Sequence, residues 1–187
     1  TATFFGRAAH AGVSPEKGIN AVVAAAKAVA KMRLGRLDSQ TTANIGAIEG
    51  GQATNIVPEK AVIKGEARSL VLAKLKSQIA QMQKAAEQAA QEVGAKVEVN
   101  VSREYDGFSL TESHYTVKIA KKAVAAIGLK PVCVATGGGS DVNIFNAKGK
   151  EAINLGVGYK DPHTINETIA VADLSKAAAL AVAIASL

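Results

Sequence analysis

The chain has 187 residues, which is long enough for one large domain or two small ones, each with its own core. Hydrophobic residues make up 48% of the sequence, aromatic residues only 4%, and the formal net charge is +6. The basic residues form no run and do not interleave with aromatic side chains, which argues against a nucleic-acid partner. A single cysteine, Cys133, excludes a disulfide framework and fits a reducing compartment, which predicts a cytoplasmic protein. No continuous apolar stretch of about 18 residues is present, so no membrane partner is expected.

Residues 1–107 are predicted to form a strand, a helix, two strands, a second helix and a last strand. The opening segment TATFFGR is rich in β-branched and aromatic residues, as strands are. The SPE signature at 14–16 predicts a helix start, because it combines a capping hydroxyl, an early proline and an acid in the first turn. Gly35 is predicted to end that helix, and residues 41–48 and 61–68 are predicted to be the next two strands.

The second helix of this part is predicted from apolar residues that repeat in alternating steps of three and four. Ser69 is its predicted cap, and Gly94 is placed to end it in the left-handed conformation. Residues 96–103 then alternate between apolar and polar, as a half-buried strand does. This order predicts a ferredoxin-like α+β fold, a four-stranded antiparallel sheet with two helices on one face.

The segment YDG interrupts this pattern and predicts a boundary that divides the chain into domains 1–107 and 108–187. The second part is predicted to contain a helix over 111–127, short buried strands at 132–135 and 152–155, and two further helices. Short apolar strands that alternate with helices are typical of a parallel α/β region. Two strands are too few to form a covered parallel sheet, so an incomplete α/β segment is expected.

Two loop histidines are candidates for chemistry. His10 follows a strand, precedes a capped helix and is flanked by small residues that leave room for a ligand, although a solvated polar role fits it too. His163 lies in the loop DPHTINE, where carboxylates on both sides suit a zinc ligand with supporting partners. Zinc needs three or four protein ligands, and nothing around the remaining histidine, His114, suggests ligation.

Two further segments have a functional and a structural interpretation. The loop GGGSD at 137–141 enters a helix, where backbone N–H groups can bind an anion, or where Ser140 simply caps a tight turn. Asn55 and Arg68 stand at the two ends of a strand-forming segment. The guanidinium of Arg68 matches a carboxylate, while a surface salt bridge with Glu66 is the default interpretation.

These signals occur together in the order found in one family. The segments that carry the match are AAHAG at 8–12, NIGAIEGGQATNIVP at 44–58, the pair Glu66 and Arg68, TGGGSDVNIF at 136–145, and NLGVGYKDPHTINE at 154–167. With them the chain resembles the co-catalytic zinc hydrolases typified by peptidase T, glutamate carboxypeptidase, acetylornithine deacetylase and succinyl-diaminopimelate desuccinylase. The resemblance covers essentially the whole chain, and the peptidase-T-like branch is the most similar.

The resemblance implies a ferredoxin-like lid that dimerises and is inserted into a zinc-binding catalytic domain. It implies hydrolysis of a peptide or amide bond in short peptides, of the tripeptide aminopeptidase type, through a water activated by two zinc ions per active site. For single residues it implies that His10 stabilises the oxyanion in the partner subunit's site and that His163 is a zinc ligand. The residues that it assigns to substrate binding are Asn55, Arg68, Gly138, Gly139 and Ser140.

The sequence also departs from the family pattern, because the family's other zinc ligands precede the lid and none precedes Thr1 here. The chain is therefore expected to be an excised piece that is inactive alone and holds no zinc tightly. An alternative interpretation is a ferredoxin-like module that binds a small metabolite or only dimerises. A metabolite-binding module leaves the GGGSD and HTINE segments unexplained, and a module that only dimerises leaves Asn55 and Arg68 unexplained. The sequence does not separate an aminopeptidase from a carboxypeptidase or a deacylase.

Overall fold

The computed structural model describes all 187 residues, and a five-stranded antiparallel sheet organises the first of its two units, Thr1–Arg103. The strand order across the sheet is β2-β3-β4-β1-β5. The bounds of the strands are β1 Ala2–Phe5, β2 Gly35–Asp38, β3 Thr41–Gly50, β4 Lys60–Ser69 and β5 Lys96–Val99. Two helices, α1 Ala21–Lys31 and α2 Leu72–Val93, pack together and against the sheet.

Small side chains form most of the core of this unit. Phe4 is its one large side chain that is fully buried. Around it lie the buried alanines of both helices, which allow close packing because alanine adds little bulk and favours helix formation. These alanines are Ala21, Ala24, Ala25, Ala28, Ala86, Ala89 and Ala90. None of the helices in the chain combines the length and the apolar character needed to cross a membrane.

The predicted ferredoxin-like arrangement is confirmed, including its four strands, its two helices and the left-handed Gly94 after α2. The predicted helix start at 14–16 is wrong, because residues Pro15–Lys17 form only a short 3₁₀ turn. Ile19 then pairs with Arg7 through two backbone hydrogen bonds of 2.9 Å, which hold the chain extended. The helix begins after Asn20, whose side-chain oxygen accepts the N–H of Val23 at 3.0 Å.

The prediction that Gly35 ends the first helix is also wrong, because α1 ends at Lys31 and Gly35 begins the additional edge strand β2. Two glutamines of α2 explain the early stop. The Gln81 amide donates to the carbonyl of Lys31 at 3.0 Å, and the Gln78 amide donates to the carbonyl of Arg33 at 2.8 Å. These donors satisfy carbonyl groups at the helix end, so the chain turns away there instead of continuing the helix.

The second unit, Glu104–Leu187, contains three helices, α3 Tyr115–Ala126, α4 Asp141–Ala147 and α5 Val171–Ala185. The three helices predicted in this part are present, although the helix predicted over 111–127 begins only at Tyr115, and α3 packs against α5. The strands predicted at 132–135 and 152–155 do not form. Neither segment has a hydrogen-bonded strand beside it, and Val132 and Val134 are 73% and 77% exposed. Apolar sequence alone does not make a strand without a partner.

Candidate functional site

His10 lies in a loop whose backbone is fixed against a second loop. The pairing of β1 with β4 continues beyond the sheet, since Val57 donates its N–H to the carbonyl of Ala9 and Ala11 donates to that of Asn55, both at 2.9 Å. The carbonyl of His10 itself accepts the N–H of Ser14 at 3.0 Å. The peptide backbone on both sides of His10 is therefore held in place.

The side chains of His10 and Asn55 are both exposed at this junction. The Nδ1 atom of His10 accepts the N–H of Gly12 at 3.1 Å, while Nε2 has no partner in the chain. The side-chain amide of Asn55 makes no hydrogen bond, although the backbone carbonyl of Asn55 accepts the N–H of Ala11. The structure thus brings together two of the predicted site residues, each with free polar atoms.

Arg68 lies at the opposite end of the sheet from His10 and Asn55. Asn55 precedes the start of β4 at Lys60, and Arg68 stands eight residues further along the strand. At a rise of about 3.3 Å per residue, this separation is roughly 26 Å. The three residues therefore do not form one site within a single subunit.

The guanidinium of Arg68 pairs with Glu66 in the two-point geometry that suits a carboxylate. Its Nε and Nη2 atoms donate to Oε1 and Oε2 of Glu66, each at 2.8 Å. The hydrogen bond from Arg68 holds the pKa of the Glu66 carboxyl below its ordinary value. The salt bridge with Glu66 that was expected as the default interpretation is present.

Polar side chains within and outside the glycine-rich loop before α4 hold that loop in place. The Ser140 hydroxyl accepts the N–H of Val142 at 3.3 Å, and Asn154 donates to the same hydroxyl at 3.0 Å. A side chain at Gly139 would overlap the phenol of Tyr105, which therefore lies directly against the loop. Tyr105 is 34 positions from Gly139, and its segment YDG is predicted only as a domain boundary, so the sequence alone does not predict this contact.

His163 stands in a strained and tightly bonded loop. The backbone of His163 (φ 64°) and of Asp161 (φ 50°) is in the left-handed region, which is unfavourable for residues other than glycine. The N–H of His163 donates to the carboxylate of Glu167 at 2.9 Å. A backbone pair between Lys160 and Thr168 closes the loop. Glu167 is one of the two flanking carboxylates expected from the DPHTINE segment, and its carboxylate accepts from the backbone of His163 and not from the ring.

The residues of this chain do not by themselves fit a zinc ion. The ring of His163 makes no hydrogen bond, and no three His, Cys, Asp or Glu side chains cluster anywhere in the structure. Zinc in proteins requires three or four such ligands at about 2.0–2.3 Å. His163 is thus a single exposed imidazole on a preformed loop, with no partner ligands from the chain.

Comparison with known proteins places this geometry in a family. The family model described as the peptidase dimerisation domain matches residues 1–94, half of the chain. The Bacillus subtilis protein YqjE is 48% identical over 183 residues, which are 98% of this chain and 49% of that protein. The chain therefore spans about half the length of this relative.

Two solved structures are similar over the same extent. Aminopeptidase PepT from Bacillus cereus is 49% identical with a TM-score of 0.79, and the match covers 98% of this chain and 49% of that one. A tripeptidase from Staphylococcus aureus is 40% identical with a TM-score of 0.84 and the same coverage. With the family model matched over half of the sequence and the lid fold present in the structure, the chain belongs to the peptidase dimerisation domain family.

Proposed function

We propose that this chain is the dimerising lid and an adjoining part of a peptide-bond hydrolase that removes the N-terminal residue of short peptides. The observation that carries the proposal is the 49% identity to a solved aminopeptidase over 98% of the chain. A solved tripeptidase matches over the same extent, which favours tripeptides among the short substrates. The match extends through both units, so it includes the glycine-rich loop and the His163 loop as well as the lid.

His10 is the proposed stabiliser of the oxyanion that forms when the peptide carbonyl is attacked. Its loop backbone is hydrogen-bonded on both sides, and its exposed Nε2 atom has no partner. A fixed donor of this kind costs little reorganisation during the reaction, which is the basis of oxyanion stabilisation. Asn55 is the proposed second polar contact to the substrate, because it stands beside His10 with an unused amide.

The distance along β4 supports a site built from two subunits. An extended tripeptide spans at most about 11 Å, whereas Arg68 lies roughly 26 Å from the start of the strand that follows Asn55. One such peptide therefore does not contact both ends of the same sheet. In the proposed homodimer, one subunit provides His10 and Asn55 to a site whose arginine comes from the other. Sedimentation velocity at micromolar concentration is expected to show a dimer, and a strictly monomeric chain contradicts this.

The second unit is proposed to provide the remaining contacts. Gly138, Gly139 and Ser140 are proposed to line the substrate, and the loop that holds His163 is proposed to offer one ligand to a zinc ion. The other ligands are not among the groups that this chain assembles. The chain alone is accordingly expected to be inactive and to bind zinc only weakly.

The proposal is tested by hydrolysis assays on the full-length protein that carries this chain. A tripeptide with a free amino end is expected to be cleaved, and its N-acetylated form is the matched control that is not cleaved. Replacement of His10 by alanine is expected to reduce turnover about 100- to 1,000-fold. Cleavage of N-acyl amino acids without cleavage of the tripeptide contradicts the aminopeptidase assignment. Binding of a small metabolite without any hydrolysis favours the binding-module alternative.

A further inference from the structure

The two ring nitrogens of His10 have different surroundings. Nδ1 lies 3.1 Å from the backbone nitrogen of Gly12, which carries a hydrogen and is therefore a donor. Nε2 has no hydrogen-bond partner in the chain, and the side chain is exposed. A neutral imidazole has one donor and one acceptor nitrogen, and the bond at one nitrogen determines the state of the other. Because Nδ1 accepts from Gly12, the proton of the neutral ring must be on Nε2.

We propose that the backbone N–H of Gly12 positions His10 as its Nε2–H tautomer, so that the ring presents one outward donor to a substrate oxygen. This inference rests on the proposed function of His10 in peptide hydrolysis. It makes Gly12 a positioning residue, since it acts on the substrate only through the ring of His10. The ligand atom that such a donor recognises is a carbonyl, carboxylate or oxyanion oxygen.

The loop geometry supports a fixed rather than a transient arrangement. The His10 carbonyl accepts N–H groups from Val13 and Ser14 at 3.3 and 3.0 Å, which closes the turn that contains Gly12. The neighbouring residues are tied to the loop at 53–57 through Ala9 and Ala11. The donor at position 12 and the ring that it contacts therefore belong to one hydrogen-bonded turn.

The tautomer determines which chemistry is open to His10. A ring with its proton on Nε2 and its Nδ1 already occupied has no outward lone pair, so it cannot remove a proton from water or substrate in that state. It can only donate. His10 is therefore a hydrogen-bond donor to the reacting carbonyl group and not a general base.

Nitrogen-15 NMR of the histidine rings at alkaline pH, where imidazoles are neutral, tests the tautomer directly. The chain has three histidines, and replacing His114 or His163 by glutamine assigns their signals. The ring of His163 has no hydrogen bond and serves as the reference for a free tautomer mixture. His10 is expected to show one fully protonated Nε2 and one unprotonated Nδ1. A mixture like that of His163, or a proton on Nδ1, overturns the proposal.

Two substitutions of Gly12 distinguish the effect of its N–H group on the His10 ring from the effect of its small size. Gly12→Ala retains the N–H, and its Cβ would lie 3.7 Å from the ring, an ordinary contact. Gly12→Pro removes the N–H. The alanine variant is expected to keep the His10 signals of the wild type, while the proline variant shifts them to the mixed pattern of His163. Unchanged His10 signals in a folded proline variant overturn the proposal. If the proline variant does not fold, the comparison of His10 with His163 in the wild-type chain tests the tautomer.

Turnover by the full-length protein distinguishes this inference from the proposed function. His10→Gln keeps a donor near the position of Nε2, whereas His10→Asn places its donor near Nδ1. If His10 acts as a donor through Nε2, the glutamine variant is expected to retain at least about tenfold more turnover than the asparagine variant. Equal loss in both variants, with the pH dependence of a missing base, overturns the donor role. An Nε2–H ring whose removal leaves turnover unchanged would preserve the tautomer but refute the proposed function.

Discussion

The two units of the chain hold their candidate residues by different means. In Thr1–Arg103 the loop of His10 is fixed by backbone pairs that extend the sheet, so the polypeptide itself sets its geometry. In Glu104–Leu187 the candidate loops are fixed by side chains, since Glu167 bonds the backbone of His163 and Asn154 bonds Ser140. The first arrangement should tolerate most side-chain changes outside its core. The second should depend on individual polar groups.

The largest effect is expected from the core of the first unit. Phe4→Ala removes its one large, fully buried side chain and should lower the free energy of unfolding by about 3–5 kcal/mol. Urea unfolding followed by far-UV circular dichroism measures this change. Val134→Ala, at a position that is 77% exposed in the second unit, is the matched control and should change stability by less than about 0.5 kcal/mol. Similar losses in both variants would show that the second unit depends on apolar packing as much as the first.

A smaller effect is expected where Tyr105 lies against Gly139. Gly139→Ala forces the phenol to move and should cost about 1–2 kcal/mol, a cost that should disappear in a Tyr105→Ala background. The chain has no tryptophan, and all its tyrosines lie in the second unit, so tyrosine fluorescence reports the unfolding of that unit. Additive effects of the two substitutions would contradict the contact.

Substitution of Glu167 tests whether its carboxylate holds the loop of His163 in place. Glu167→Ala removes the acceptor of the His163 N–H and should accelerate hydrogen exchange of that amide about tenfold, the value of one hydrogen bond. Glu167→Gln keeps an acceptor oxygen and should largely restore protection. If the alanine variant exchanges at the wild-type rate, the carboxylate does not hold the loop.

The smallest expected effect is a loss of stability of the second unit at low pH. Hydrogen bonds from Thr116, the stronger from its hydroxyl and the weaker from its N–H, hold the pKa of Glu151 below its ordinary value of 4.5. The charges of His114 and Lys118 lower this pKa further. Because the folded pKa is lowered, the stabilisation is present above the unfolded pKa and is lost as pH falls through the folded value. Tyrosine fluorescence during an acid titration should show an additional loss of stability below pH 4.5. In Glu151→Gln this acid-dependent part should be absent, and an unchanged titration would contradict the role of Glu151.

The sequence predicts the elements whose patterns are local. The apolar repeat of α2 and its end at Gly94 depend on neighbouring residues and are found as predicted, whereas the strand predicted over 96–103 is present only as Lys96–Val99. Strand β2 has four residues without alternating polarity, so only its pairing with β3 identifies it. The segments at 132–135 and 152–155 have strand composition but no partner.

The residues of the candidate site also fall into those that the sequence predicts and those that only the three-dimensional structure identifies. Motifs and family resemblance identify the loops of His10 and His163, because these depend on residue type and order. The contacts of Gly12, Tyr105 and Glu167 depend on backbone hydrogen bonds and on side-chain approach in three dimensions. Spacing in the sequence places the Glu167 carboxylate near His163, but it does not predict the backbone N–H that Glu167 accepts or the contacts of Gly12 and Tyr105.

The most direct test of the account is the activity of mixed dimers of the full-length protein. A double variant, His10→Ala with His163→Ala, is combined with wild-type subunits, and the heterodimers are purified. If His10 serves the partner's site, the wild-type site receives an alanine at position 10 and the variant site lacks its own His163, so both sites are inactive. Heterodimers of this kind are expected to be inactive. Half of the wild-type activity would show that His10 serves its own subunit and would refute its proposed role in the partner's site.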